Sequence, residues 1–154
     1  MQRWIVAGVA VVLLGIAGFF GARTAWRAYN DAKPAPVWVP LAVNPDTPIE
    51  QQDKTAKELG ERLHDNGILM KLTKELNLRQ TWSLPDDEAA SKELGRRMFV
   101  RTGTMDSPKG AIPAIHIGVH GKYKEINDSK RISERLIQEV WPILGIEPPT
   151  QSIR

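Results

Sequence analysis

Three histidines, one run of three acids and a few glycines are the residues of this 154-residue chain whose types could support chemistry. His116 and His120 stand four apart in or beside a strand, so both point to one face, and two imidazoles so placed could hold a metal. That face offers no third ligand: Gly118 lies between them and no Asp or Glu shares the alternation. The pair therefore reads as exposed or hydrogen-bonded histidines. His64 lies near a helix C-terminus, where the helix dipole alone explains a cationic side chain. Asp86-Asp87-Glu88 could make a carboxylate site, but three successive acids in a first helical turn fan around the axis and suit the positive end of the dipole. Gly118 and Gly121 belong to no phosphate loop, because neither GxxxxGK[ST] nor a complete GxGxxG occurs. No GxSxG elbow or zinc-protease motif occurs either. The expected catalytic, cofactor-binding and metal residues are therefore none, and the chain reads as a non-enzyme.

Composition narrows the classes further. The chain has no cysteine, which excludes disulfides, thiolate metal ligands, iron–sulfur clusters, c-type haem attachment, a thiol nucleophile and a cysteine-linked lipid. The net charge is +3. Arg3, Arg23, Arg27 and Lys33 against Asp31 account for all of it, and the remaining 17 basic and 17 acidic residues cancel. A neutral domain without a basic run gives no reason to expect nucleic acid as a partner.

The elements that would position these residues begin with an apolar segment. Trp4 to Ala22 (WIVAGVAVVLLGIAGFFGA) holds 19 residues without a charge. As a helix it would rise about 28 Å, close to the hydrocarbon thickness of a bilayer. Trp4 at one end, and Arg23, Trp26, Arg27 and Tyr29 at the other, are the expected membrane-interface residues. Gly8, Gly15 and Gly18 would allow a second helix to approach closely. The run exceeds a signal-peptide core of about 7–15 residues, so a retained anchor is expected. The three basic residues after the segment outweigh Arg3 and lean toward a cytoplasmic domain.

Residues 1–31 are thus expected as anchor and interfacial helix, 32–40 as a Pro-rich spacer, 41–147 as one soluble domain and 148–154 as a flexible tail. Val37, Val39, Leu41 and Val43 alternate as a strand, and Pro40 argues for a sheet edge. Thr47-Pro48-Ile49-Glu50 reads as a capping box opening a helix that Gly67 ends. A shorter helix runs from Ile68 to near Asn77. Leu78 to Leu84 reads as irregular, with Trp82 as a core anchor. Asp86 starts a third helix along Ala89, Ala90 and Leu94, with Gly95 near its end. Met98 to Arg101 and Ile112 to Val119 are strands joined by the turn-rich TGTMDSPKG, most simply as a hairpin. Ile132, Leu136, Ile137, Val140 and Trp141 form the stripe of a last helix that Pro142 bends or ends. The fold class is α+β: a transmembrane helix, then a three- to four-stranded sheet packed by about four helices.

Two resemblances follow from these residues. Ile112-Pro113 before a strand, then a second short strand and a terminal helix, is similar to the cis-proline half of the thioredoxin-like fold, which without cysteine would supply the scaffold only. Ile68 to Trp82 (ILMKLTKELNLRQTW), with its LxLxxxW exit, resembles the periplasmic domain of the polysaccharide chain-length determinants. Ala89, Ala90, Leu94, Met98 to Arg101, Ile115 to Val119 and the helix from Asp128 fall in the same order, so the resemblance covers residues 37–140. It implies a non-enzymatic oligomer of a bacterial inner membrane with a periplasmic domain, acting in the export of polysaccharide. Up to Arg154 the chain shows no counterpart of that family's helical arm and second membrane helix, so the expectation is a reduced relative, an adaptor or a coincidental likeness.

Two functional expectations result. One is an accessory or structural subunit of an integral-membrane complex, partnered by the bilayer and by membrane proteins or by itself. The other is a reduced chain-length determinant. Trp38, Tyr123, Trp141 and Ile146, apolar positions that a small core need not absorb, are the expected partner contacts.

Overall fold

The computed structural model describes residues 23–108 and 110–145. Trp4, the rest of the apolar segment and Ile146 lie outside the described residues. Among those described, no helix is long and apolar enough to cross a membrane. Helix α1, residues 23–31, carries Arg23, Trp26, Arg27 and Tyr29, all exposed. The expected spacer is shorter than its composition suggested. Residues 37–40 already belong to β1 (Val37–Ala42). Pro34 bridges to Lys122, and Ala35 N donates to Gly121 O at 2.8 Å. Three prolines prevent a helix here, and the extended chain they leave is ready to pair.

Helices α2 (Ile49–Leu63), α3 (Asn66–Glu75), α4 (Leu78–Thr81) and α5 (Asp87–Arg97) precede the hairpin of β2 (Met98–Ser107) and β3 (Gly110–Val119). A 3-10 turn at Tyr123–Glu125 leads into α6 (Ile126–Leu144). The fold is α+β, and its sheet is fully antiparallel in the order β1-β3-β2. β1 is an edge strand, where the missing N–H of Pro40 costs no ladder bond. The turn expected over 102–110 is mostly strand: Thr102 pairs with Ile115 and the ladder continues to Ser107 with Gly110. The alternation of small and polar residues there continues the pleat, and only the tip keeps a turn. Pro113 lies inside β3, and a 3-10 turn rather than a second strand follows Val119. The thioredoxin-like expectation is therefore not met.

The helix ends show which local signals prevailed. Pro48 occupies the cap of α2 with no side-chain cap bond, so the box expected of Thr47 and Glu50 does not form. Instead buried Gln52 reaches back and donates to Thr47 O at 2.7 Å. Asp65 starts α3 by accepting from Gly67 N at 2.8 Å, so Gly67 opens a helix rather than ending one. Asp86 caps α5 by accepting from Ala89 N at 2.8 Å, which is the role read for the acidic run. Gly95 does not end α5, which continues to Arg97. Pro142 sits in the last turn of α6, and Gly145 closes that helix at φ 67°.

One apolar cluster joins these elements. Ile115, Ile117 and Val119 of β3 meet Leu59 and Leu63 of α2, Leu72 of α3, Leu94 of α5, and Ile132, Leu136 and Val140 of α6. Trp82 packs half-buried at its margin, consistent with an anchor. Thr73 is fully buried, and its Oγ1 has no hydrogen-bond partner among the described residues. A buried hydroxyl without a partner carries an uncompensated desolvation cost. Thr73→Val keeps the shape and removes that cost, so it should stabilise the domain by about 1 kcal/mol. Urea melts of the two proteins test this; a lower midpoint for Thr73→Val would show that the hydroxyl is bonded.

Candidate functional site

Among the described residues, the helices in contact with the sheet pack on the side of Val39, Leu41, Ile115, Ile117 and Val100. The pleat turns the intervening residues to the other side. Register places Trp38 beside Gly118, Gly118 beside Phe99, and His116 between Pro40 and Arg101. This second face is the candidate site. Trp38 remains 41 % exposed upon it. The rings of Trp38 and His116 stack with centroids 5.7 Å apart. The Arg101 guanidinium lies 5.7 Å from the Trp38 ring and 5.1 Å from that of Phe99. Phe99 in turn meets His120 at 4.6 Å.

Two glycines make this arrangement possible. A side chain at Gly103 would lie 2.7 Å from the His116 ring, which covers that position and bonds Thr104 O through Nε2 at 3.0 Å. A side chain at Gly118 would collide with the Val37 carbonyl and lie 2.6 Å from Trp38 Cα. The result is a platform of aromatic faces with a cation across it. Such a surface binds by stacking, cation–π contact and apolar burial.

The histidines thus serve the platform separately, His116 with Trp38 and His120 with Phe99. His64 lies elsewhere, bridging Gly60 O at 2.7 Å and Gly95 O at 3.1 Å, which are carbonyls near the C-terminal ends of α2 and α5. Among the described residues no three His, Asp or Glu side chains converge as a metal site.

Beside the platform, α5 ends in a charged knot. Arg97 bonds Glu93 at 2.6 Å and Glu125 at 2.9 Å, while its guanidinium covers the Trp82 ring at 4.6 Å. Arg96 bonds the same Glu93 at 2.7 Å. The hydrogen bond from Arg96, joined by that from Arg97, outweighs desolvation and holds Glu93 down at about 2, against an ordinary 4.5. A carboxyl whose pKa is depressed on folding contributes stability above its unfolded value, and loses it as pH falls toward the folded one. Glu93 should therefore give the domain an acid-sensitive window between pH 4.5 and about 2. Chemical denaturation across that range should show stability falling with pH, and Glu93→Gln should flatten the fall. An unchanged slope in Glu93→Gln would remove Glu93 from the account.

Among the described residues, the expected partner contacts Trp38, Tyr123 and Trp141 lie on different elements. Trp38 lies on the platform, Tyr123 is 58 % exposed in the 3-10 turn, and Trp141 is half-buried on α6, the helix packed against the opposite side of the sheet. Phe99, Arg101 and His116 were not singled out as contacts, although Phe99 and Arg101 are two apart in MFVR and so share a face. No family model, no curated protein and no solved structure matches the chain.

Proposed function

We propose that the chain is a non-catalytic, single-pass membrane protein whose domain acts as an accessory or structural subunit of an integral-membrane complex. The carrying observation is one face of a three-stranded sheet, with Trp38, Phe99, Arg101 and His116 gathered on the side that the helices among the described residues leave uncovered. An exposed aromatic residue beside an arginine is the composition enriched where protein partners bind. The second support is the uncharged segment from Trp4 to Ala22, followed directly by the exposed Trp26 and Tyr29 of α1. Confinement to a bilayer raises the effective concentration of such a face near membrane partners.

The test is gentle detergent extraction of the tagged native protein, followed by mass spectrometry of what accompanies it. Stoichiometric recovery of other integral-membrane proteins, lost on Trp38→Ala with Arg101→Ala while the domain stays folded, is the expected result. A homo-oligomer found with polysaccharide polymerase and export proteins would replace this reading with the chain-length-determinant one.

A further inference from the structure

The start of β1 lies against a second surface, which adjoins the platform at His120. Tyr123 N donates to Lys33 O at 2.9 Å, and Ala35 N to Gly121 O at 2.8 Å. Pro34 and Lys122 form a bridge between them. Linker and turn are therefore one unit, and Tyr123 is bonded two residues beyond the end of α1, at most about 7 Å of chain. The C-terminal end of α5 brings Arg96 to the same rim, where it lines a cleft of about 410 Å³ with His120 and Lys122.

The charges on this rim do not cancel. Arg96 and Arg97 are matched by Glu93 and Glu125. Lys33, Lys122 and Lys124 are in excess, because Glu125 beside Lys124 is taken by Arg97 and Asp31 is the one acid close in sequence to Lys33. Lys122 and Lys124 make no ion pair among the described residues, and Lys33 Nζ lies 5.0 Å from the Tyr29 ring centroid. Tyr123 offers an amphipathic ring of the kind favoured at a bilayer surface.

The distance is also suitable. Nine residues of α1 rise about 13 Å. The interfacial layer on one side of a bilayer takes up about 5–7 Å of that. An upright α1, with the two residues that follow it, then leaves the rim about 6–15 Å from the headgroups, one to two Debye lengths at physiological salt. Tilting brings it into contact.

We propose that Lys33, Arg96, His120, Lys122, Tyr123 and Lys124 form a rim that docks on anionic headgroups of the bilayer holding the chain. This rests on the membrane-anchored reading above and gives it an orientation. The sheet end where β1 starts stands on the membrane, and the platform is turned sideways toward proteins in the same bilayer.

The absence of cysteine supplies the test, because Asn127→Cys, exposed beside the rim, accepts one fluorophore. Full-length protein is placed in vesicles of phosphatidylcholine alone, or of phosphatidylcholine with phosphatidylglycerol. Energy transfer to headgroup-labelled lipid is then read. Transfer should be higher in the anionic vesicles, and should fall to the phosphatidylcholine level at high salt or with Lys33→Glu, Lys122→Glu and Lys124→Glu combined. Each lysine near an anionic surface is worth about fivefold, so the three together should change the docked-to-undocked ratio by about a hundredfold or more. Equal transfer in both vesicles, insensitive to salt and to the triple variant, would overturn the docking. Release of the wild-type protein by alkaline extraction would instead overturn the anchor on which it rests, so the two failures are told apart.

Discussion

Gly118→Ala should destabilise the domain by about 2–4 kcal/mol and loosen one strand before the others. The added methyl would meet the Val37 carbonyl and the Trp38 backbone, and neither can rotate away as a side-chain tip could. β1 is an edge strand, held by its antiparallel pairing with β3 and by the Ser133 hydroxyl donating to Val37 O at 3.0 Å. Moving β1 outward would break that pairing and dissolve the Trp38–His116 stack. Hydrogen exchange should show lost protection in β1 and in the β3 amides that face it, while β2 keeps more of its own. Gly60→Ala is the matched control. Its methyl would lie 3.7 Å from Val100 Cβ, an ordinary contact, and in the interior of α2 alanine should stabilise by about 0.5–1 kcal/mol. Equal stability of Gly118→Ala and wild type would show that β1 does not pack as described.

Leu136→Ala should cost about 3–4 kcal/mol. Leu136 is fully buried on α6, the helix that contacts both β1 and β3. Its removal leaves a cavity at the junction of helix and sheet, where rigid elements on both sides limit collapse. For a domain of about this size the melting temperature should fall by about 12–16 °C. With total stability on the order of 5–15 kcal/mol, such a loss takes up much of the margin. Calorimetry of the wild type and variant settles the value. A loss below about 1 kcal/mol would mean that α6 does not form the lid of the core.

Most of the fold was legible because its segments carry strong periodicities. In IPAIHIGV the large apolar residues Ile115, Ile117 and Val119 alternate, and all three are buried in the core. The stripe Ile132, Leu136, Val140 defines α6 in the same way. The misplaced boundaries fell where two local rules competed. Gly67 alone reads as a helix stop, but Asp65 two residues earlier is a stronger start. By composition TGTMDSPKG reads as a turn, yet its pairing with β3 carries it as strand almost to the tip. Such pairing depends on a partner far along the chain, which no local pattern reports.

The candidate site was less legible for the same reason. Trp38 stands out as an apolar residue that a small core need not absorb, but its companions come from β2 and β3, more than 60 positions away. Only the register brings Arg101 and His116 beside it. Arg97 gave no sign in sequence of bridging Glu93 and Glu125. Of those partners only Glu93, four residues earlier on one helix face, follows a local rule.

The most direct test of the central claim is site-specific photo-cross-linking in native membranes. A photoreactive side chain is placed at Trp38 or Arg101 on the platform, or at Lys57, exposed on α2, as a control. A membrane-anchored subunit that presents its bare sheet face should give a discrete adduct with an integral-membrane protein from positions 38 and 101, and none from 57. Adducts from 57 alone, or recovery of the chain in the soluble fraction, would contradict it.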